Sequence, residues 1–408
     1  MTKQKRGDCM SVQDRFLRYV SIDTQSDPES PTAPSTMKQL DLARLLKEEM
    51  EEMGLSDVYL SDTGVVYGTL KADQPAGLEA IGLIAHMDTA KEMPGKDVKP
   101  RVIHAWDGNK IQLNEKWSMT KEAFPALNDV VGDDTVVTDG TTLLGADDKA
   151  GIAIILETVQ QMAKESGRKR DIYVAFTPDE EIGRGVENFE LDRFPVEFAY
   201  TLDGGEVHGV EYETFNAAGA KITIQGASVH PGSAKDKMVN AALIGAEYAM
   251  MMPGYMTPAH TEGREGFIHL ISIEGDCEHA ALEYILRDHD KEGLKAKKAI
   301  LEQAAAMIRT LYGNVIDVNI YDQYENMKDY MHGDFRAVNK ACEALRACGL
   351  EPVSLPVRGG TDGAVLTAKG LITPNLGTGG GNYHGRFEFV SVNKMEKMMD
   401  VLRHIIEE

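Results

Sequence analysis

The sequence predicts an α/β protein: a discontinuous main domain interrupted by a compact α+β insert. Three observations predict it. Short apolar runs at residues 80–85, 172–176 and 198–202 have the length and continuity of strands buried on both faces. Residues 150–162, between the first two runs, place Ile152, Ile155, Leu156 and Val159 on one side of a helix, and this alternation favours a largely parallel sheet. Near residue 215 the texture changes, and the first style resumes only after about residue 325.

In chain order, Met37, Leu42, Leu45, Leu46, Met50 and Met53 fall at helical spacing, and Gly54 follows as a C-terminal cap. The three strands and the 150–162 helix come next. In the insert, strands are predicted at 220–225, 266–273 and 315–321 and helices at 239–252 and 294–311, a β-α-β-β-α-β-like order suited to a sandwich with helices on one face. A helix at 335–348 and glycine-rich loops return to the first style. The expected boundaries are 1–214 and 325–408 for the main domain and 215–324 for the insert.

A chain of 408 residues exceeds what one hydrophobic core usually serves, in keeping with two domains. A net charge of −22 argues against a nucleic-acid partner, which needs clustered Lys and Arg. No apolar run approaches the roughly 18 residues that cross a bilayer, so no membrane partner is expected. The basic start, Met1-Thr-Lys-Gln-Lys-Arg6, has no apolar stretch after it, against a secretory signal and for a cytoplasmic enzyme. Cys9, Cys277, Cys342 and Cys348 form no CxxC pair and no disulfide framework.

The acids and histidines are informative by position, because ligands of open α/β sheets gather beyond the carboxyl ends of the strands. His86 and Asp88 directly follow the first run, and on a continuing strand would share a face, letting Asp88 support the His86 ring. Asp147 and Asp148 sit at the entry to a helix: one carboxylate can bridge two cations, while the other can cap the helix. Glu180 and Glu181 follow the second run after Pro178; in a turn they could converge, one binding metal and one acting as general base, and spacing does not say which. Asp203 ends the third run, and His384 lies in a glycine-rich loop. Nitrogen and oxygen donors of this kind suit zinc and are compatible with cobalt or manganese.

The ordered set Ala85-His-Met-Asp-Thr89, Leu144-Gly-Ala-Asp-Asp-Lys-Ala-Gly151, Pro178-Asp-Glu-Glu-Ile-Gly183, Thr201-Leu-Asp-Gly-Gly205, Val229-His-Pro-Gly-Ser233, Arg358-Gly-Gly-Thr-Asp-Gly363 and Tyr383-His-Gly385 resembles the M20 metallopeptidases, and within them the aminotripeptidase branch. The resemblance spans nearly the whole chain. It implies a dizinc-exopeptidase-like catalytic domain with an inserted lid or dimerisation domain, and so a homodimer through the insert. It implies two Zn2+ per subunit, one held by His86 and Asp203, the other by Glu181 and His384, with Asp147 bridging and the Asp147–Asp148 peptide cis. Asp88 would support His86, Glu180 would be the general base, and His230 would donate to the oxyanion. Arg287 and Arg358 would grip the carboxylate of a short peptide, a task suited to guanidinium. The function implied is removal of the N-terminal residue from tripeptides. Alternatives are another M20 activity (dipeptidase, carboxypeptidase or N-acyl amino acid deacylase) or a non-catalytic binding protein. The lead through Met10 is longer than the family's usual start, and Gly377-Thr-Gly-Gly-Gly-Asn382 is richer in glycine than its pattern.

Overall fold

The computed structural model describes residues 10–75 and 77–408; Cys9 and the basic start lie outside the described residues. The chain divides into two compact units. One runs through Tyr212 and takes in Met331–Leu355 and Thr361–Glu408; the other is Glu213–Tyr330 with Pro356–Gly360. The short 356–360 segment therefore packs with the inserted unit, although 325–408 as a whole was expected in the main domain.

In the larger unit, continuous apolar sequence becomes continuous burial. Strand Ile81–His86 is buried along its length, and Ile172–Thr177 and Phe198–Gly204 nearly so. They belong to an eight-stranded sheet ordered Ser56–Leu60, Val66–Leu70, Ile172–Thr177, Ile81–His86, Phe198–Gly204, Asn375–Gly377, Gly209–Glu213, Val353–Pro356. The four central strands pair in parallel. On one flank Ser56–Leu60 and Val66–Leu70 are antiparallel, and Gly209–Glu213 pairs antiparallel on the other. The expected largely parallel sheet is thus parallel only at its centre, since a short connection such as 61–65 makes a hairpin and cannot make a crossover.

Parallel pairing sets His86, Thr177 and Gly204 at the same end of the sheet. Helix Ala146–Lys164 packs against two of these strands and beneath helices Val12–Val20 and Val392–Glu407, which explains why almost all of its residues are buried. Gly151 is required there: a Cβ would lie 2.2 Å from the Leu202 carbonyl oxygen, so only glycine lets the helix approach the strand that carries Asp203. Gly54, at φ +81, ends helix Gln39–Glu52 as expected.

The second unit has the order strand, helix, strand, strand, helix, strand. Its sheet, Phe267–Gly275, His279–Asp288, Asn216–Gln225, Ile316–Tyr324, is antiparallel throughout. Alternate residues (Ala220, Ile222, Ile224; Leu282, Tyr284, Leu286) join the core formed with helices Ala241–Met250 and Lys291–Tyr312. The His279–Asp288 strand, absent from the sequence reading, completes it. No helix among the described residues is long and apolar enough to cross a membrane.

Candidate active site

Two strand ends, a turn, a helix entry and a loop deliver the side chains. His86 closes its strand and Asp203 lies near the end of its own. Asp147 and Asp148 are written into helix Ala146–Lys164 but are not helical, with φ/ψ of −84/105 and −119/35, and the peptide between them is cis. Asp148 accepts from the Gly151 amide at 3.2 Å, the capping bond, and from the His86 amide at 3.2 Å. Both its oxygens serve backbone, and Asp147 is left facing the histidines.

The turn after strand Ile172–Thr177 is built by Asp179. At φ +58 this residue is left-handed and buried, and its carboxylate accepts from the Ser35 amide at 2.6 Å, the Ser35 hydroxyl and Gln39 Nε2 at 2.7 Å. A 3-10 turn over Glu180–Ile182 follows and ends at Gly183, φ +73. Two adjacent glutamates that would diverge on a strand thereby turn together. The amides of Glu180 and Glu181 both donate to Asp88, at 2.9 and 3.2 Å.

Asp147 is the hub. Its Oδ1 lies 2.8 Å from His86 Nε2, and its Oδ2 lies 3.2 Å from His384 Nε2. His86 Nε2 is also 3.4 Å from Asp203 Oδ1, and His384 Nε2 is 3.0 Å from Glu181 Oε2. One carboxylate thus faces two separate pairs, each an imidazole and a carboxylate. His86 Nδ1 is 3.1 Å from the Asp88 carbonyl oxygen and 3.4 Å from its Oδ1. Asp88 therefore touches the ring mainly through its backbone, while its carboxylate holds the glutamate turn.

Charge in this cluster is unbalanced. Burial, reinforced by neighbouring acids, pushes Glu180 well above the usual carboxylate range, Glu181 up to about 7 and Asp203 up to about 6. Burial also raises Asp147, but hydrogen bonds with His384 and His86 outweigh it and hold that carboxyl low. Hydrogen bonds to Asp147 and Glu181 push His384 up to about 11. The acids compete for whatever positive charge is at hand, the electrostatic condition of a cation site. The donors fit divalent ions: ligand atoms of His86, Asp147 and Glu181 lie within 4.8 Å of one another, as do those of His86, Asp148 and Asp203. Glu181 Oε1 is buried without a hydrogen-bond partner, an acceptor left for a cation. Of the acids in the second group, Asp203 is the better ligand because Asp148 is spent on amides.

Three supporting acids had no role in the sequence reading. Glu388 accepts from the amides of Leu144 (2.7 Å), Gly145 (2.8 Å) and Asp147 (3.0 Å), fixing the helix entry. Asp362, buried, accepts from the Thr177 hydroxyl at 2.7 Å at the end of the central strand. Asp179 builds the glutamate turn. Asp179 and Asp362 stand inside quoted motifs, so their signal was present. Glu388, flanked by Phe387 and Phe389, carries none, since its partners are 241 to 244 residues away.

His230, Arg287 and Arg358 belong to the second unit. His230 is exposed, and its Nδ1 accepts from the Gly232 amide at 3.1 Å. Arg287 donates to the carbonyls of Ala218 and Leu286 and to Gln323. Arg358 donates to the carbonyls of Gly263 and Glu265 and to Thr261, over the rings of Phe215 and Phe267.

The model of peptidase family M20/M25/M40 matches residues 135–408. A Peptidase T of Clostridium perfringens is 46% identical over 398 residues, covering 97% of this chain and 98% of its own. One from Desulfitobacterium hafniense is 48% identical over 401 residues, with coverage of 97% and 98%. Among solved structures, the aminopeptidase PepT of Bacillus cereus aligns with a TM-score of 0.76 at 25% identity over 98% of both chains. A dinuclear metal binding peptidase of the M20 family from Bacillus subtilis shares the fold, with a TM-score of 0.64 at 13% identity over 97% of both.

Proposed function

The chain belongs to peptidase family M20/M25/M40, and from that premise we propose that it is a two-metal aminopeptidase removing the N-terminal residue of short peptides, tripeptides above all. The observation that carries the proposal is Asp147, whose two oxygens face two separate imidazole–carboxylate pairs. His86 and Asp203 would hold one ion, Glu181 and His384 the other, and Asp147 both. Zinc is the ion we favour for this nitrogen and oxygen set, with cobalt or manganese compatible.

When bound, the ions supply Lewis-acid polarisation of the scissile carbonyl and a more acidic water. Glu180, which forms no hydrogen bond or ion pair with either histidine, takes a proton from the attacking water and returns it to the leaving amine. Asp88 and Asp179 keep the glutamate turn in place. His230 would donate to the developing oxyanion, and Arg287 and Arg358 would bind the peptide's carboxylate; Arg358 would exchange its present carbonyl partners for it. The inserted unit would serve as lid and as the surface of a homodimer. A cytoplasmic location accords with the free thiols of Cys277, Cys342 and Cys348.

Rates on free and N-acetylated di-, tri- and tetrapeptides test the reading. Fastest release of the first residue from free tripeptides is expected; faster cleavage of acetylated peptides would assign the site to deacylation or carboxypeptidase chemistry instead.

A further inference from the structure

An arginine is seldom buried without a partner, because a desolvated charge costs several kcal/mol unless something compensates it. Arg170, two residues before strand Ile172–Thr177, is 4% exposed. Its Nε is buried with no hydrogen-bond partner, and no described residue makes a hydrogen bond or ion pair with its guanidinium. Burial lowers its affinity for the proton, and Tyr200 and Glu79, neither within ion-pair or hydrogen-bond distance, only partly offset this.

Arg170 lines a cavity of about 260 Å³ together with Glu165, Arg168, Lys169 and Glu407. The lining sets three cations, Arg168, Lys169 and Arg170, against two carboxylates, Glu165 and Glu407, and the carboxylates already have a partner. Glu165 accepts from both Nη atoms of Arg403, at 3.0 and 2.6 Å, and Glu407 shares that arginine at 3.2 Å. Arg168 meets Asp73 at 3.3 Å and gives its remaining donors to the carbonyls of Met162, Glu165 and Lys71. The lining is left with one more cation than carboxylates, and Lys169 stands next to Arg170; Lys340, outside the lining, has its charge disfavoured by burial and by the nearby Arg170. The volume falls below that of a typical drug-sized pocket and suits an ion or a small acid better than a peptide.

We propose that this cavity is a binding site for a small oxyanion, a phosphate or a carboxylate, with Arg170 as its principal ligand. The planar fork of guanidinium matches either group in bidentate fashion. The site lies at the trailing end of helix Ala146–Lys164 and the leading end of strand Ile172–Thr177, the ends opposite those that present Asp147 and Glu180. It is therefore separate from the peptidase centre.

Calorimetric titration of the metal-loaded full chain with inorganic phosphate and, separately, with succinate tests this, in wild type, Arg170→Met and Arg170→Lys. Saturable binding of at least one anion below roughly 10 mM is expected, weakened about tenfold or more by Arg170→Met and less by Arg170→Lys. The two titrations distinguish phosphate from carboxylate. Without anion, Arg170→Met should melt no lower than wild type, since it removes an uncompensated buried charge. Its peptidase rate should be unchanged. Phosphate binding that persists undiminished in Arg170→Met would belong to the metal centre and overturn the proposal. So would the lack of saturation by either anion, or a lower melting temperature of both variants in the absence of anion.

Discussion

Two buried clusters of charge in the larger unit are built on opposite principles. In the first, helices Val12–Val20, Gln39–Glu52 and Ala146–Lys164 meet around Arg15. Its guanidinium donates to Glu157 at 3.0 Å, to Gln160 at 2.9 Å, to Tyr19 at 3.1 Å and to Glu49. Glu49 also accepts from Tyr19 and Arg18, both at 2.5 Å. Positive and negative groups are matched and every nitrogen of the Arg15 guanidinium is hydrogen-bonded. In the second cluster, His86 and His384 face Asp147, Asp203 and Glu181, Glu180 adds a further acid nearby, and an oxygen of Glu181 has no partner. A balanced, saturated network can only hold helices together. An acid-rich, unsaturated one keeps donors at the spacing that suits cations. The contrast separates structural charge from chemical charge without reference to motif.

The largest expected effect comes from removing one carboxylate of the unsaturated cluster that is not a proposed ligand. Glu180→Gln should keep two metals per chain by elemental analysis while kcat falls by about 10²–10⁴, the usual worth of a general base. A rate near wild type would give the base role to another group. The balanced cluster should respond in the opposite sense. Arg15→Ala takes from Glu157 its 3.0 Å guanidinium partner and leaves Glu49 with Arg18 and Tyr19 alone; it should lower unfolding stability by about 3–5 kcal/mol, read by urea denaturation, with the rate per folded molecule retained. A variant that melts like wild type would show the network to be dispensable.

The smallest effect concerns Glu211, at the margin of the acid-rich cluster. Burial raises its carboxyl from the ordinary 4.5 to about 7, partly offset by a hydrogen bond from Asn375 at 3.4 Å. A carboxyl that holds its proton more tightly when folded contributes nothing adverse below about pH 4.5 and destabilises increasingly as pH rises to about 7. Glu211→Gln should therefore stabilise the fold by about 1–3 kcal/mol at pH 8, with the gain vanishing near pH 4.5. A gain independent of pH would mean that packing, not ionisation, limits stability at this position.

How legible each part was depended on distance along the chain. Runs such as 172–176 and the 150–162 helix declare themselves because burial on all sides demands unbroken apolar sequence. Strand Val66–Leu70 is equally buried, but Tyr-Gly-Thr interrupts its apolar character and hid it. A Cβ at Gly68 would come within 2.8 Å of Met50 Sδ and 3.3 Å of a Leu55 methyl, a tertiary fact. In the site, spacing brought His86, Asp147, Glu180, Glu181 and Asp203 to one end of a sheet, and family resemblance was needed to divide roles between the two glutamates and to single out His384. Its left-handed backbone, φ +60, gives no sign in a glycine-rich loop.

By itself the sequence determined the alternation of strands and helices, the inserted unit and the end of the sheet where acids collect. These follow from local periodicity and from the shared direction of parallel strands. Only the tertiary structure decided that Asp147 faces two imidazoles, that Asp179 curls the glutamates together through Ser35 and Gln39, and that Glu388 pins the helix entry. Those contacts join residues 61 to 241 positions apart, and no local propensity encodes which distant donor will satisfy a buried acid. The same applies to Arg170, whose lack of a partner becomes visible only once every neighbour is in place.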